Sequence, residues 1–319
     1  MRKIGIVTSG GDSPGMNAAI RAVVRKSIFL GMEAVGFRHG YNGLINNEMV
    51  EMNLGSVADI LQRGGTILRT ARALEFMKPS GREQAVQNIN QAGIEGLVVI
   101  GGDGSFKGAM ELHKLGVKVI GVPASIDNDI PGSDYAIGFD TALNTVLDAI
   151  NKIRDTATSH ERVFIIEVMG HRSGYIALNA GLAGGAESVL MPELPFDLQE
   201  IVDKLHRGAA RGKLHSIILV AEGSGDAMEI GRQIHKMSGM DTRVTILGHI
   251  QRGGGPSAFD RILASRMASL AVDLLVAGES GKFVSYEAGT LQGRDFEYML
   301  SSKKELDQSM LELTNILAI

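Results

Sequence analysis

The chain of 319 residues contains no cysteine and no tryptophan. Without cysteine there can be neither a disulfide framework nor a thiolate metal site. No stretch comes near the roughly 18 uninterrupted apolar residues that a membrane span needs. The apolar run near the N-terminus breaks into glycine too soon for a signal peptide. We therefore expect a cytoplasmic protein with no membrane partner.

Neither sign of charge dominates, since the chain has 36 acidic and 32 basic residues and a net charge of −4. A nucleic-acid surface usually shows a basic excess or a basic stripe, so we expect no nucleic-acid partner. Glycine, by contrast, is abundant, with 41 residues. This abundance indicates many places where the backbone turns tightly or approaches a ligand closely.

Short β-branched runs alternate with longer helical patterns along the chain. The predicted strands are KIGIVTS, EAVGFR, GLVVIGG, KVIGVP, VFIIEVMG, HSIILVAEG and RVTILGH. Because they lack a polar alternate face and helices follow them, they predict an α/β fold of two doubly wound, mainly parallel-sheet domains. We expect a long helix from near Phe139 to cross into the second domain, and the helix after Pro256 to return.

In such sheets, ligands bind at the carboxyl ends of the strands. Gly10-Gly11-Asp12 follows the first strand. The sequence Gly-Gly-Asp-Gly-Ser at 101–105 begins with the last two residues of GLVVIGG and leads into a helix expected to begin at Ser105. Small residues at a helix N-terminus suit a phosphate chain. The pattern is neither a Walker A loop nor a dinucleotide fingerprint, and each glycine pair alone could equally be a tight turn.

The stretch VPASIDNDIP, residues 122–131, leaves a buried-looking strand with two aspartates. Asp103 can serve a phosphate only through a divalent cation, for which Mg²⁺, shared with Asp129, is the natural choice. Asp127 would then be the base that accepts a proton from an attacking hydroxyl. Ser125 and Arg72 could donate to the transferring phosphoryl group. The alternatives are a solvated turn for the aspartates and a surface salt bridge for Arg72.

A second set of polar residues suits the acceptor. Guanidinium groups bind phosphate and a carboxylate binds hydroxyls, so the set predicts a phosphorylated sugar; its members are Arg162, Glu222, Arg243, His249 and Arg252. Taken singly, His249 could be a hydrogen-bonded strand-end histidine and Glu222 a helix cap.

Seven blocks together resemble the bacterial-type ATP-dependent 6-phosphofructokinases. They are TSGGDSPGMNAAIR, RGGTILRTAR, VIGGDGS, SIDNDI, GFDTALNT, ATSHERVFIIEVMG and LGHIQRGG, and the likeness weakens after about Phe283. The resemblance implies a homotetramer that transfers the terminal phosphoryl group of Mg-ATP to the 1-hydroxyl of fructose 6-phosphate. It assigns residues 1–138 plus 251–301 to an ATP-binding domain, and residues 139–250 plus 302–319 to a sugar-phosphate-binding domain.

The resemblance also implies a role for individual residues. It supports Asp127 as the base and Asp103 and Asp129 at the metal. For ATP it implies Gly11, Arg72, Ala73, Gly102, Asp103, Gly104 and Ser105, and Gly11 and Arg72 also lie beside the transferring group. For the sugar phosphate it implies Ser125, Asp127, Met169, Gly170, His171, Glu222, His249 and Arg252, with Arg162 and Arg243 from a neighbouring subunit. Gly104 and the small Ala124 fit the ATP-using branch, because pyrophosphate-using relatives carry Asp and Lys there.

Departures from the family pattern occur at both kinds of site. Relatives read Met-Gly-Arg where this chain has His171 followed by Arg172, and Ser125 replaces Thr but keeps the hydroxyl. The family's pocket for ADP or phosphoenolpyruvate maps onto Arg21, Arg25, Asp59, Arg154, Gly185, Glu187, Arg211 and Lys213. Leu54 and Leu214 stand where relatives can carry cations, so our hypothesis is weak allosteric regulation.

Two other functions are compatible with parts of the pattern. A kinase of the NAD or diacylglycerol kinase type would explain residues 100–105 but not Asp127, His249 or Arg252. A sugar-phosphate sensor on a degenerate kinase fold would tolerate loss of the base, yet Asp127 and Asp103 are both present.

Overall fold

A computed structural model of the protein describes residues 1–318. The chain divides into two compact units, each with its own sheet. Unit 1 comprises residues 1–141 and 252–304, and unit 2 comprises residues 142–251 and the chain from 305 onward. The predicted assignment of ATP to one domain and sugar phosphate to the other stays a prediction. None of the helices in residues 1–318 is both long and apolar enough to cross a membrane.

Strands and helices alternate along most of the chain. The first part contains β1 (Lys3–Thr8), α1 (Met16–Phe29), β2 (Glu33–Phe37), α2 (Tyr41–Asn46), β3 (Met49–Met52), α3 (Pro79–Gln91), β4 (Gly96–Gly101), α4 (Asp103–Lys114), β5 (Val119–Pro123) and α5 (Phe139–His160). Next come β6 (Val163–Val168), α6 (Tyr175–Gly184), β7 (Ser188–Leu190), α7 (Leu198–Ala210), β8 (Ser216–Ala221), α8 (Ala227–Ser238) and β9 (Thr242–Ile246). The last are α9 (Ala258–Val276), β10 (Lys282–Glu287), β11 (Thr290–Asp295), α10 (Phe296–Ser301) and α11 (Gln308–Leu317).

Unit 1 is built on a seven-stranded sheet in the order β11-β10-β5-β4-β1-β2-β3. Its central strands are parallel, and the edge strands β3 and β11 pair antiparallel with their neighbours. One face packs on α1 and α9, and the other packs on α2, α3 and α4. Because both faces are covered, β1, β4 and β5 are buried along nearly their whole length and consist mainly of apolar residues and glycine, as predicted.

Unit 2 has a smaller sheet of four parallel strands in the order β7-β8-β6-β9. Helices α7 and α8 pack on one face through a buried aliphatic cluster. Helix α6 contacts β7 and β8, and α11 packs on α6. The two sheets therefore confirm the predicted doubly wound α/β class.

Asp260 ties the start of α9 to the start of α5 within unit 1. Its side chain is fully buried; Oδ1 accepts from Gly138 N at 2.9 Å, and Oδ2 accepts from Thr141 N at 2.8 Å and Thr141 Oγ1 at 2.5 Å. Gly138 has φ +105°, which favours glycine. Burial raises the pKa of Asp260 to about 6, against hydrogen bonds that lower it. The folded protein therefore holds this proton more tightly than the unfolded chain does.

Asp260 should make stability fall as the pH rises. The folded pKa of about 6 exceeds the ordinary 3.8, so its contribution is complete below pH 4 and lost by pH 7. We expect the unfolding free energy of the wild type, relative to Asp260→Asn, to decline by roughly 3 kcal/mol across that interval. Urea titrations at four pH values measure this difference, with Asp148→Asn as an exposed control. A difference that does not change with pH would contradict the prediction.

Candidate active site

The first glycine pair of unit 1, Gly10 and Gly11, lies in the loop after β1 and contacts the side chain of Arg252. Gly10 has φ +84°, and the Arg252 guanidinium packs directly against Gly11, where it would have to shift to admit a Cβ. Arg252 Nη1 donates to the carbonyl of Asp12 at 3.3 Å. Arg252 was predicted to bind the sugar phosphate and Gly11 to bind ATP. In the structure these two residues are in contact.

The turn after β4 forms the second glycine-rich corner of unit 1. Helix α4 begins at Asp103, with Gly102 as its N-cap and no side-chain cap; the predicted start at Ser105 was two residues too late. An acid in the first turn is stabilised by the helix dipole, which explains the earlier start. Asp103 Oδ1 accepts from Gly104 N at 2.6 Å, and Oδ2 accepts from Lys107 at 2.9 Å. Ser105 Oγ is buried and has no hydrogen-bond partner within residues 1–318.

The loop after β5 presents Asp127 and Asp129 on either side of a buried residue. Asn128 adopts φ +51° and is 3% exposed. Its Nδ2 donates to the carbonyl of Asp134 at 2.9 Å, and its Oδ1 accepts from Ala136 N at 2.8 Å. Since Asn128 turns inward, the aspartates beside it belong to a fixed corner rather than to a solvated turn.

Hydrogen bonds link the Ser125 hydroxyl to both aspartates of this corner. Ser125 Oγ accepts from Asp127 N at 3.2 Å and lies 3.4 Å from Asp129 Oδ1, to which it donates. Burial raises the pKa of Asp129, and the negative charge of Asp103 raises it further. Asp103 and Asp129, which lie within electrostatic reach of each other, provide oxygen ligands for a divalent cation. No group of three or more His, Cys, Asp or Glu side chains in residues 1–318 is arranged to hold a metal.

Arg72 and Ala73 lie in the long segment between β3 and α3. The Arg72 carbonyl accepts from Asn42 Nδ2 at 2.8 Å, and Ala73 packs against the apolar cluster beneath α2, α3 and α4. Among the described residues, the exposed Arg72 guanidinium makes no hydrogen bond or ion pair. It is thus accessible to a ligand, and the salt-bridge alternative is not observed.

The carboxyl end of the unit 2 sheet gathers four of the predicted acceptor residues. Met169 N donates to Gln251 Oε1 at 3.2 Å, and His171 N donates to Glu222 Oε1 at 2.7 Å. Gly170 has φ +142° and His171 has φ +55°. The backbone at 171 is therefore fixed, while the His171 side chain is exposed. The fully buried Gln251, which sequence reasoning missed, also binds the Gly248 carbonyl. His249 and Arg172 are exposed on this unit.

Arg162 and Arg243 do not join that cluster. Arg162 precedes β6 and Arg243 is the second residue of the parallel strand β9, so both lie at the amino end of the sheet. Seven residues of extended chain separate Arg162 from Met169, about 20 Å. Asp241 bridges the two arginines, accepting from Arg162 Nε at 2.6 Å and from Arg243 Nη2 at 3.3 Å. Within one chain, Arg162 and Arg243 therefore lie apart from Met169 and Glu222, and their contribution from a neighbouring subunit stays a prediction.

Four of the predicted effector residues meet in unit 2. Arg154 donates to the carbonyls of Gly184 and Gly185, and Lys213 pairs with the buried Glu187. His215, which was not predicted, belongs to the same cluster, and burial lowers its pKa. Arg211 is exposed in unit 2, and the remaining predicted residues, Arg21, Arg25 and Asp59, belong to unit 1.

Comparison with known proteins places this arrangement in a family. The phosphofructokinase family model matches residues 3–275. The chain belongs to the phosphofructokinase family. It is 57% identical to the ATP-dependent 6-phosphofructokinases of Bacillus pumilus and of Halothermothrix orenii, over the full length of all three chains.

A solved structure agrees with this membership in the phosphofructokinase family. The T-state phosphofructokinase of Pichia pastoris superimposes with a TM-score of 0.90 at 35% identity, over 94% of this chain. This chain spans 35% of that one. The predicted family, enzyme class and fold are thereby confirmed.

Proposed function

We propose that this chain is an ATP-dependent 6-phosphofructokinase that converts fructose 6-phosphate into fructose 1,6-bisphosphate in glycolysis. The observation that carries the proposal is the corner after β5, where the buried Asn128 anchors the loop that carries Asp127 and Asp129. Asp103 lies within electrostatic reach of Asp129 in this corner. The full-length relatives, named ATP-dependent 6-phosphofructokinases, support it.

Unit 1 would bind ATP at its two glycine corners. The N-terminal end of α4 has no side-chain cap, and the buried Ser105 hydroxyl can donate to a phosphate oxygen. The contacts we propose are made by Gly11, Arg72, Ala73, Gly102, Asp103, Gly104 and Ser105. A Cβ at Gly104 would meet nothing within 4 Å, so glycine here leaves space for the phosphate chain.

Asp103 and Asp129 would hold Mg²⁺ together with phosphate oxygens and water. Their oxygen donors, and the position of Asp103 within electrostatic reach of Asp129, suit this hard cation. The metal would neutralise charge that develops on the phosphates during transfer. The Asp103–Lys107 ion pair is exposed, so opening it costs little.

Asp127 would accept the proton of the sugar 1-hydroxyl. The hydroxyl oxygen forms the new P–O bond, the bond between the β- and γ-phosphates of ATP breaks, and ADP leaves with the electron pair. Ser125 and the guanidinium groups of Arg72 and Arg252 would donate to the transferring group. His171 or Arg172 would supply the donor that relatives place at position 171.

Unit 2 would bind the sugar phosphate. Glu222, oriented by His171 N, suits a sugar hydroxyl, and Met169 and Gly170 shape the backbone beside it. His249 would donate to the same ligand. Arg162 and Arg243 at the amino end of the sheet would bind the phosphate held by a neighbouring subunit of a homotetramer, which accounts for their distance from the cluster.

A screen of donors and acceptors separates this proposal from its alternatives. We expect phosphoryl transfer to fructose 6-phosphate with ATP but not with pyrophosphate, and none to NAD or diacylglycerol. A kinase of the other type would use one of those acceptors. A sugar-phosphate sensor would bind fructose 6-phosphate, measured by calorimetry, without releasing ADP.

Allosteric regulation by ADP or phosphoenolpyruvate should be weak. Leu54 and Leu214 are 51% and 52% exposed, where a cation would face the proposed effector. We expect Leu214→Lys to lower the half-effective phosphoenolpyruvate concentration at least about tenfold, because a charge-assisted hydrogen bond contributes roughly 1.5–3 kcal/mol. Inhibition curves measure it, with the exposed Leu313→Lys as control. Strong sigmoidal inhibition of the wild type would contradict the hypothesis.

A further inference from the structure

Lys304 is a half-buried lysine that contacts the loop after β5, and the mechanism above gives it no role. It is the last residue of unit 1 and follows α10. Its Nζ donates to the carbonyl of Asp134 at 3.0 Å. Burial lowers its pKa to about 8, although the carboxylates of Asp134 and Asp129 favour the charged form.

The carbonyl that Lys304 binds is the anchor of the aspartate loop. Asp134 O also accepts from Asn128 Nδ2, the contact that turns Asn128 inward. Asp134 N donates to Tyr286 O at 2.7 Å, and Asp134 Oδ2 accepts from Ala288 N at 2.8 Å. Asp134 thus fixes the loop to the hairpin of β10 and β11, and Lys304 approaches this anchor from the C-terminal segment.

The charge of Lys304 acts on the same corner. Its ammonium lies within electrostatic reach of the Asp129 carboxylate, as does the negative charge of Asp103. A buried ionised group is costly unless an opposite charge lies nearby. The positive charge of Lys304 therefore offsets the repulsion between the carboxylates of Asp103 and Asp129 when no cation lies between them.

We propose that Lys304 is a positioning residue, which holds the Asp127–Asp134 loop through the Asp134 carbonyl and balances the negative charge of Asp129. The proposal rests on the proposed function, since it assigns Asp127 and Asp129 to phosphoryl transfer. In this proposal Lys304 acts through the loop and not by binding a substrate.

The test compares Lys304→Met, which keeps the apolar stem, with Lys304→Arg, which keeps the charge. Lys303→Met removes an exposed neighbouring charge and is the matched control. We expect Lys304→Met to lower kcat roughly 10- to 100-fold, because small misplacements of catalytic groups are this costly. The KM for fructose 6-phosphate should stay within about twofold, and Lys304→Arg should recover most of the rate.

Cation binding supplies a readout that does not depend on turnover. Mn²⁺ binding in the presence of ADP, followed by the electron paramagnetic resonance of free Mn²⁺, should tighten at least about threefold in Lys304→Met, because a repelling charge is gone. The thermal midpoint should not fall, since a methionine stem fills the same space.

Unchanged kcat in Lys304→Met would overturn the proposal, and so would a loss of rate accompanied by a lower thermal midpoint and unchanged Mn²⁺ binding. A wild-type protein that does not phosphorylate fructose 6-phosphate would instead contradict the proposed function. The Mn²⁺ titration distinguishes the two failures, because it needs no sugar substrate.

Discussion

Replacing Asp127 with Asn should lower kcat about 1,000-fold, within the range for loss of a general base. An amide cannot accept the proton of the sugar hydroxyl, yet it preserves the shape of the side chain. Because Asn128 anchors the loop through its own hydrogen bonds, the corner should keep its fold. Fructose 6-phosphate affinity, measured by calorimetry, should therefore stay within about threefold of the wild type.

Asp148→Asn is the control for this change, since Asp148 lies exposed on α5 and pairs with the exposed Lys152. It should leave kcat unaltered. Normal turnover in the Asp127 variant would show that another group accepts the proton, and loss of sugar binding would show that the carboxylate binds substrate rather than acting as base.

The second large effect concerns Gly104 in the first turn of α4. We expect Gly104→Asp to raise the KM for ATP roughly 100-fold, because two like charges about 4 Å apart repel by up to about 4 kcal/mol near a protein surface. The fold itself should accept the change, since a Cβ at 104 has open space and an acid suits a helix N-terminus. Steady-state kinetics with ATP varied measure the effect.

Gly104→Ala separates charge from bulk and should behave like the wild type. The thermal midpoint of both variants should remain within about 2 °C of it. If Gly104→Ala weakened ATP binding as much as Gly104→Asp, steric contact rather than charge would explain the loss. If neither changed it, the phosphate chain would not pass this turn.

The central strands could be predicted because burial on both faces leaves a simple apolar pattern. All seven predicted strands are present, and α5 begins at Phe139 as expected. Four strands were missed. β7 has three residues, and the edge strands β3 and β11, with the sequences MVEM and TLQGRD, are partly exposed. β10, with the sequence KFVSYE, lies inside the sheet but mixes polar with apolar residues. Strands of this kind take their conformation from a neighbour and carry little signal of their own.

The candidate site was partly predictable for a similar reason. Residues that follow parallel strands must meet at one edge, which brings Asp103 and Asp129 within electrostatic reach. Asn128, Lys304 and Gln251 could not be assigned, because their roles depend on contacts with residues distant in sequence or on burial. Arg162 and Arg243 show the limit of strand-end reasoning, since a strand has two ends and the sequence does not say which one faces the ligand.

The most direct test of the central claim is the initial rate of ADP release from Mg-ATP as fructose 6-phosphate is varied, with the phosphorylated sugar identified. We expect release that requires fructose 6-phosphate, follows a hyperbolic curve and yields fructose 1,6-bisphosphate in equal amount. Absence of ADP release, or release that does not depend on the sugar phosphate, would contradict the assignment of this chain as a 6-phosphofructokinase.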